Sequence, residues 1–378
     1  MLFQFGGIGD TLMLTPVARA LTKKFPGARI ALCLTHKYVK DALDGHPYFN
    51  EIIPFDFYWK GYSAFLTLKN RRGGVLKVLI YHPKLFLTMA SARFDLAIDY
   101  SLGPEIKNLS GALSYALSIP ERVGYGDDTR GFLTKTVSAD IRAMHRVDYY
   151  FEALKSLGVT SGDDHSFRYE FPLSPDDIGW GRDFLKSNGR KRSLLVAMHP
   201  GGAKLMLPRR WPAENFISVG KWVIDELGGQ VLLTGGREDE EVCKTVGAAL
   251  GARCINACGK TTLRQTAALL SLCGACVTND TATVHLASAV HMRNICVIIG
   301  PSDPSLYLPH DENLRVFRAS VDCAPCIGSI IGSETQACSA AKPGLCLTSV
   351  TPEQIIEALK QVMLNHSIDQ SDCKSVRK

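Results

Sequence analysis

The stretch Thr278-Asn279-Asp280-Thr281-Ala282-Thr283-Val284-His285-Leu286-Ala287-Ser288-Ala289 decides the fold. An apolar run ends just before it at Val277, and a second, Ile295 to Ile299, follows it and is closed by Gly300-Pro301-Ser302. The pattern reads as strand, polar turn, short helix, strand, which sets hydroxyls and a carboxylate at the carboxyl end of a strand and at a helix N-terminus. Open α/β sheets hold anions there, because unpaired backbone N–H groups and the positive end of the helix dipole point out of the crevice. A diphosphate site is expected.

Outward from this stretch the same motif recurs. Ser193 to Met198 reads as a strand ending at His199-Pro200-Gly201-Gly202-Ala203. Arg209-Arg210-Trp211-Pro212 leads into a helix over Glu214 to Glu226, and Val231 to Leu233 is a strand stopped by Thr234-Gly235-Gly236-Arg237-Glu238-Asp239-Glu240. Gly259-Lys260-Thr261 looks like the tail of a phosphate loop, but Cys254 stands where that motif needs glycine, and the motif is rejected. Thr351-Pro352-Glu353-Gln354 offers a cap hydroxyl, proline at the first helical position and glutamine three beyond the cap, which predicts a closing helix to Leu364.

In the first half, Leu2 to Phe5 is a short strand running into Gly6-Gly7-Ile8-Gly9-Asp10. A first strand of a nucleotide-binding sheet is normally longer, so either the strand is clipped or the start codon lies upstream. Leu12, Leu14, Val17, Ala20 and Leu21 follow helical spacing, with Pro16 marking a kink or a late helix start. Asp10 therefore sits at a strand-to-helix turn, where a carboxylate caps the helix or faces a cleft. The G-x-G-x-x-G spacing of a dinucleotide site is missing. Arg29 to Leu34, Glu51 to Phe55 and Phe94 to Asp99 read as strands, and Val39 to Leu43 and His145 to Leu157 as helices. This alternation makes the fold class α/β with a largely parallel sheet. Ser161 to Arg192 is polar, holds Pro172 and Pro175, and reads as a linker. The expected organisation is 1–175, 190–350, a closing helix over 351–366, and a disordered tail over 367–378.

A chain of 378 residues, 46% of them apolar, has room for two domains, each with its own core. No apolar run approaches the ~18 residues of a membrane span and no cleavable leader is evident, so the chain reads as cytoplasmic. Its 12 cysteines stand against that reading, yet Cys33, Cys273, Cys276 and Cys296 fall inside apolar patterns as small buried hydrophobes. A net charge of +6 favours anionic substrates or an anionic membrane surface, whereas nucleic-acid binding needs a denser basic patch. Lys60 to Arg93 carries Lys69, Arg71 and Arg72 among apolar residues, either as a solvated face or as a docking surface for a phosphorylated or membrane-held acceptor. Cys323-x2-Cys326 followed by Cys338 and Cys346 fits a zinc site, free thiols or disulfides, and these alternatives stay open.

Taken together, Gly6-Gly7-Ile8-Gly9-Asp10, His199-Pro200-Gly201, Arg209-Arg210-Trp211-Pro212, Thr234-Gly235-Gly236, Ala257-Cys258-Gly259-Lys260-Thr261, Thr278-Asn279-Asp280-Thr281 with His285, and Gly300-Pro301-Ser302-Asp303-Pro304 stand in the order and spacing of the heptosyltransferases of glycosyltransferase family 9. The chain resembles that family over nearly its whole length. The resemblance implies the GT-B architecture: two doubly wound, Rossmann-like domains facing a cleft, an N-terminal one for the acceptor and a C-terminal one for the donor, with the last helix crossing back to the first domain. It also implies an inverting transfer of a sugar, heptose from ADP-heptose, onto a lipopolysaccharide core or other cell-surface glycan acceptor, peripheral to the inner membrane, with no cofactor or metal and no nucleic acid. Such a transfer needs a base for the acceptor hydroxyl and positive or dipolar groups for the leaving diphosphate.

Asp10 matches the family's general base, the alternative being a helix cap. Asp280, Thr281 and Thr283 match the donor-diphosphate turn with His285 one helical turn on, and His199, Gly201 and Gly235 line the donor side. Arg209 and Arg210 stand where the family commonly has a lysine before its Trp-Pro pair, which keeps the charge and changes the geometry. Glu238 or Asp239 lies near the ribose-binding acid, Glu238 being the candidate, and Lys69, Arg71, Arg72 and Arg122 are candidate acceptor contacts. A nucleotide-sugar epimerase of the same fold and a non-catalytic sugar-nucleotide binding module are the alternatives. The first lacks a matching carboxylate and histidine set in the first domain, and the second would dispense with Asp10.

Overall fold

The structure, a computed structural model, describes residues 1–34, 36–54, 83–101, 104–126, 128, 131–163, 167–191, 193–202, 210–326, 338 and 344–361. The chain divides into two compact units, one formed chiefly by Met1–Tyr169 and the other chiefly by Glu170–Pro304 and Leu308–Gly328. The first runs β1 (Leu2–Gln4), α1 (Ile8–Leu12), α2 (Thr15–Lys24), β2 (Ala31–Leu34), α3 (Lys37–Leu43), β3 (Glu51–Pro54), α4 (Pro83–Ser91), β4 (Leu96–Asp99), α5 (Pro104–Ala116), β5 (Glu121–Tyr125), β6 (Lys135–Val137) and α6 (Arg146–Glu152). Its six strands are parallel and lie in the order β3-β2-β1-β4-β5-β6.

The second unit runs α7 (Pro175–Ser187), β7 (Leu195–His199), α8 (Ala213–Asp225), β8 (Gln230–Leu233), α9 (Glu240–Leu250), β9 (Cys254–Asn256), α10 (Leu263–Ser271), β10 (Ala275–Asn279), α11 (Ala282–Ala289), β11 (Ile295–Ile298), β12 (Leu314–Phe317) and α12 (Leu345–Thr348). Its parallel sheet, β12-β11-β10-β7-β8-β9, repeats the order of the first when read from β9. The central strands β7, β8, β10 and β11 are buried along their whole length, as strands covered on both faces must be. The order reverses between β1 and β4 in one sheet and between β7 and β10 in the other. At such switch points the loops leave in opposite directions and open a crevice at the carboxyl ends of the strands.

Local sequence explains the elements next to those crevices. Pro16 stands in the first turn of α2 after a break at Met13–Leu14, which is the late start that its position allows. Leu14, Val17, Ala18 and Leu21 then face the interior. The stretch expected to be a linker instead holds α7. Ser174 caps it, its Oγ accepting from the Asp177 backbone N–H at 3.2 Å while Asp177 Oδ2 accepts from the Ser174 N–H at 2.8 Å. Pro175 fills the first turn, and Trp180, Phe184 and Leu185 pack with Leu195, Leu232 and Leu269. The many polar neighbours do not matter when one face carries three large apolar side chains. A helix over 352–361 follows Thr351 as expected, and Ile355, Ala358 and Leu359 join the core around Trp211, Phe216 and Val277. Its expected continuation and the tail lie outside the described residues.

Candidate active site

In the second unit, two turns meet at the switch point. β7 ends in His199 and turns through Pro200-Gly201-Gly202, while β10 ends in Asn279 and passes through Asp280 to Thr281, the N-cap of α11, whose Oγ1 accepts from the Thr283 N–H at 3.2 Å. Asn279 is the joint. Its Nδ2 donates to the carbonyls of Pro200 and Gly201, at 3.0 and 2.9 Å, and its Oδ1 accepts from the Trp211 N–H at 2.9 Å. The indole of Trp211 donates in turn to the Val350 carbonyl at 2.8 Å, fixing the segment that carries Arg210.

A buried acid organises the other side. Asp239 Oδ1 accepts from the Gly202 N–H at 2.9 Å, and Oδ2 from the Gly236 N–H at 3.0 Å. Arg210 Nη2 stands 3.4 Å from Oδ1 and also donates to the Gly202 carbonyl, and His199 Nε2 is 3.9 Å from Oδ2. A Cβ at Gly201 would overlap the Asp239 carboxylate, so the turn after β7 closes on this acid only because it lacks a side chain there. His199 Nδ1 and Arg210 Nε are buried and make no hydrogen bond among the described residues.

Of the residues singled out from sequence, His199, Gly201, Arg210 and Thr281 are brought together here, with the Thr281 methyl against Gly202. Asp280, Thr283 and His285 are buried on the same turn and helix. Gly235 sits against Asp239 and Cys258. Of the two neighbouring acids, Glu238 is exposed, and Asp239 is buried and meets the loops. Arg122 also takes a different role, because its guanidinium donates to the carbonyls of Phe132 at 2.6 Å and of Ile119 and lies over the Tyr115 ring, which makes it a brace between β5 and the segment entering β6. Lys69, Arg71, Arg72 and Arg209 lie outside the described residues. Cys323 and Cys326 are exposed, Cys338 is half-buried and Cys346 is buried. No group of three His, Cys, Asp or Glu side chains is arranged to hold a metal among the described residues.

Burial pushes the His199 imidazole below its ordinary value, with the Asp239 charge opposing the shift. Unfolding releases a histidine that takes up a proton more readily than the folded one. Stability tied to His199 is therefore complete above about pH 6.5 and falls as pH drops below that value, with a slope of at most ~1.4 kcal/mol per pH unit for one proton. His199→Gln should flatten the fall of Tm between about pH 6.5 and 4.5 relative to the parent; parallel curves would show that His199 takes no part in it.

In the first unit the turn after β1 carries Asp10, in the first turn of α1. Its Oδ2 accepts from the Gly7 N–H at 3.2 Å, and a Cβ at Gly6 would overlap the carboxylate. The Asp10 side chain remains about a quarter exposed (25%), so it can reach a bound molecule. Arg146, which sequence reading passed over, is buried with Nη1 4.0 Å from Asp10 Oδ1. Beside β4, Asp99 accepts from the Ser101 N–H at 2.9 Å and from the Ser110 hydroxyl.

A family model, Glycosyltransferase family 9 (heptosyltransferase), matches residues 84–331. Lipopolysaccharide heptosyltransferase 2 of Escherichia coli strain K12 is 27% identical over 374 residues, covering 94% of this chain and 96% of that protein. The structure of E. coli ADP-heptose lps heptosyltransferase II superposes with a TM-score of 0.74 at 24% identity, over 97% of this chain and 99% of that one. The glycosyl transferase family 9 protein from Veillonella parvula DSM 2008 gives a TM-score of 0.76 at 22% identity, over 96% of this chain and 97% of that one. These likenesses show that the two doubly wound units are those of the GT-B fold.

Proposed function

The chain belongs to glycosyltransferase family 9, and we propose that it transfers heptose from ADP-heptose, with inversion, to a sugar hydroxyl of a lipopolysaccharide core. The observation that carries this reading is the Thr281-capped turn between β10 and α11, held against the turn after β7 by Asn279, with Arg210 and Asp239 at the junction. The similarity to a lipopolysaccharide heptosyltransferase along almost the full length of both chains supports the sugar and the acceptor. Neither the family match nor that relative favours the epimerase alternative. The proposed setting is the cytoplasm, at the inner face of the membrane that presents the acceptor; no helix among the described residues is long and apolar enough to cross a membrane.

Asp10 accepts the proton of the acceptor hydroxyl as its oxygen attacks the anomeric carbon. The new C–O bond forms on one face while the bond to the diphosphate breaks on the other, and ADP leaves carrying the extra negative charge. Arg210, the N–H groups at the start of α11 and the Thr281 hydroxyl receive that charge in positions fixed before the substrate arrives, so little reorganisation is needed in the transition state. A helix terminus and an arginine supply the positive potential that a divalent cation brings elsewhere.

Replacing Asp280 and Thr281 together by alanine should weaken ADP binding by about 10-fold, as expected for the loss of one or two hydrogen bonds to a charged ligand. Isothermal titration with ADP measures this, and UDP in a parallel titration tests the base. Unchanged ADP affinity in a folded variant would remove the β10–α11 turn from the donor site.

A further inference from the structure

Arg146 occupies a place where a cation is costly twice over. It is 4% exposed, and it is the first residue of α6, where the helix dipole is positive. Its neighbours include an acid. Nη1 faces Asp10 Oδ1 at 4.0 Å, and the guanidinium is hydrogen-bonded to the Tyr150 hydroxyl, one turn along the same helix. Tyr150 also accepts from Gln4 Nε2 at 2.8 Å, and Gln4 Oε1 accepts from the Gly6 N–H at 2.9 Å. The chain of contacts thus starts and ends in the glycine turn after β1. It passes from Gly6 through Gln4, Tyr150 and Arg146 to Asp10, and closes through Gly7, whose N–H donates to Asp10 Oδ2 at 3.2 Å.

We propose that Arg146 is a positioning residue for Asp10, holding the carboxylate as an anion with one oxygen turned to the acceptor hydroxyl. The inference rests on the reading of Asp10 as the base. A carboxylate with a quarter of its surface open has several rotamers available, and its two oxygens meet different groups, Oδ2 the Gly7 N–H by a hydrogen bond and Oδ1 the guanidinium by an ionic contact at 4.0 Å. The guanidinium is itself fixed by Tyr150, whose burial among Tyr100 and Tyr149 leaves it little freedom. Groups acting on Arg146 include Asp10 on α1, Tyr149 and Tyr150 on its own helix and Tyr169 beyond it, and Asp10 is an acid that offsets its charge.

The test is a double-mutant cycle on the full-length enzyme, measured as steady-state turnover with ADP-heptose and a lipopolysaccharide-core acceptor, together with ADP affinity and Tm. Arg146→Met should lower kcat by about 10²-fold, the cost of a misplaced catalytic group, with ADP affinity unchanged. Arg146→Lys, which restores the charge without the fork, should recover part of that loss. In an Asp10→Asn background, Arg146→Met should cost less than about 3-fold more, because residues that act as a unit are not additive. If the Met substitution costs the same factor with and without Asp10, or if Lys recovers nothing while Tm falls equally in both variants, Arg146 is a structural brace and the proposal is wrong. Failure of the base reading shows separately, as full turnover in Asp10→Asn alone.

Discussion

Asp10→Asn should reduce turnover by ~10²- to 10⁴-fold, the usual contribution of a positioned general base, while ADP binds as tightly as before. Asparagine is nearly isosteric, and its carbonyl oxygen can still accept from the Gly7 N–H that Asp10 Oδ2 now accepts at 3.2 Å. The turn after β1 therefore has no reason to rearrange. What disappears is the capacity to take a proton, and with it the transition state in which the acceptor oxygen becomes nucleophilic. A pure helix cap behaves differently: its loss costs about 1 kcal/mol of stability and leaves chemistry alone. Measured kcat, Tm and ADP affinity separate the two, and an asparagine variant that turns over at the parental rate with a lowered Tm would reduce Asp10 to a cap.

Asp239→Ala is expected to be the most damaging single change in the second unit. Four groups converge on that carboxylate: the N–H groups of Gly202 and Gly236, the Arg210 guanidinium and His199. Removing one member of a buried charged set strands the others, which typically costs 3–5 kcal/mol. For a unit of this size the loss should appear as a fall in Tm of roughly 10 °C. ADP affinity should fall with it, since the turns after β7 and β8 lose their common anchor. Asp239→Asn keeps an oxygen for one of the two N–H groups and should be milder on both counts. An alanine variant with the Tm and ADP affinity of the parent would show that the loops hold their shape without the acid. Glu238→Ala is the comparison for register, because that side chain is exposed and, although it lies against Gly236, takes no part in the hydrogen bonds that hold the two turns.

What could be read from sequence divides by the range of the interaction. The β10–α11 unit was legible because every signal in it is local: an apolar run, then Asn279-Asp280-Thr281, then small residues at helical spacing. The turns after β1, β7 and β8 were legible for the same reason. The role of Asn279 was not, since the carbonyls it binds lie 79 and 78 residues away at Pro200 and Gly201. Two acids side by side, Glu238 and Asp239, cannot be told apart from composition; the close approach of Gly201, contributed by a different strand, decides which one turns inward. Arg146 gives no signal at all beyond its apolar surroundings, because a basic residue at the start of a helix ordinarily faces solvent. The helix α7 was missed although its start was written in the chain. Ser174, Pro175 and Asp177 form a capping box with proline in the first turn, and Trp180, Phe184 and Leu185 share a face, but the polar average of the stretch concealed them.

Both sheets use the same doubly wound order, and in each a glycine turn after the strand at the switch point meets a carboxylate: Gly6 to Asp10 after β1, His199 to Gly202 after β7. One architectural slot has been filled twice with different contents. Where the first copy spends its glycines on making room for a carboxylate that stays partly open, the second spends them on wrapping backbone around one that is sealed. Innovation in such a molecule is modular, because donor preference can drift through exchanges in the second slot and its neighbours without disturbing the proton-accepting slot.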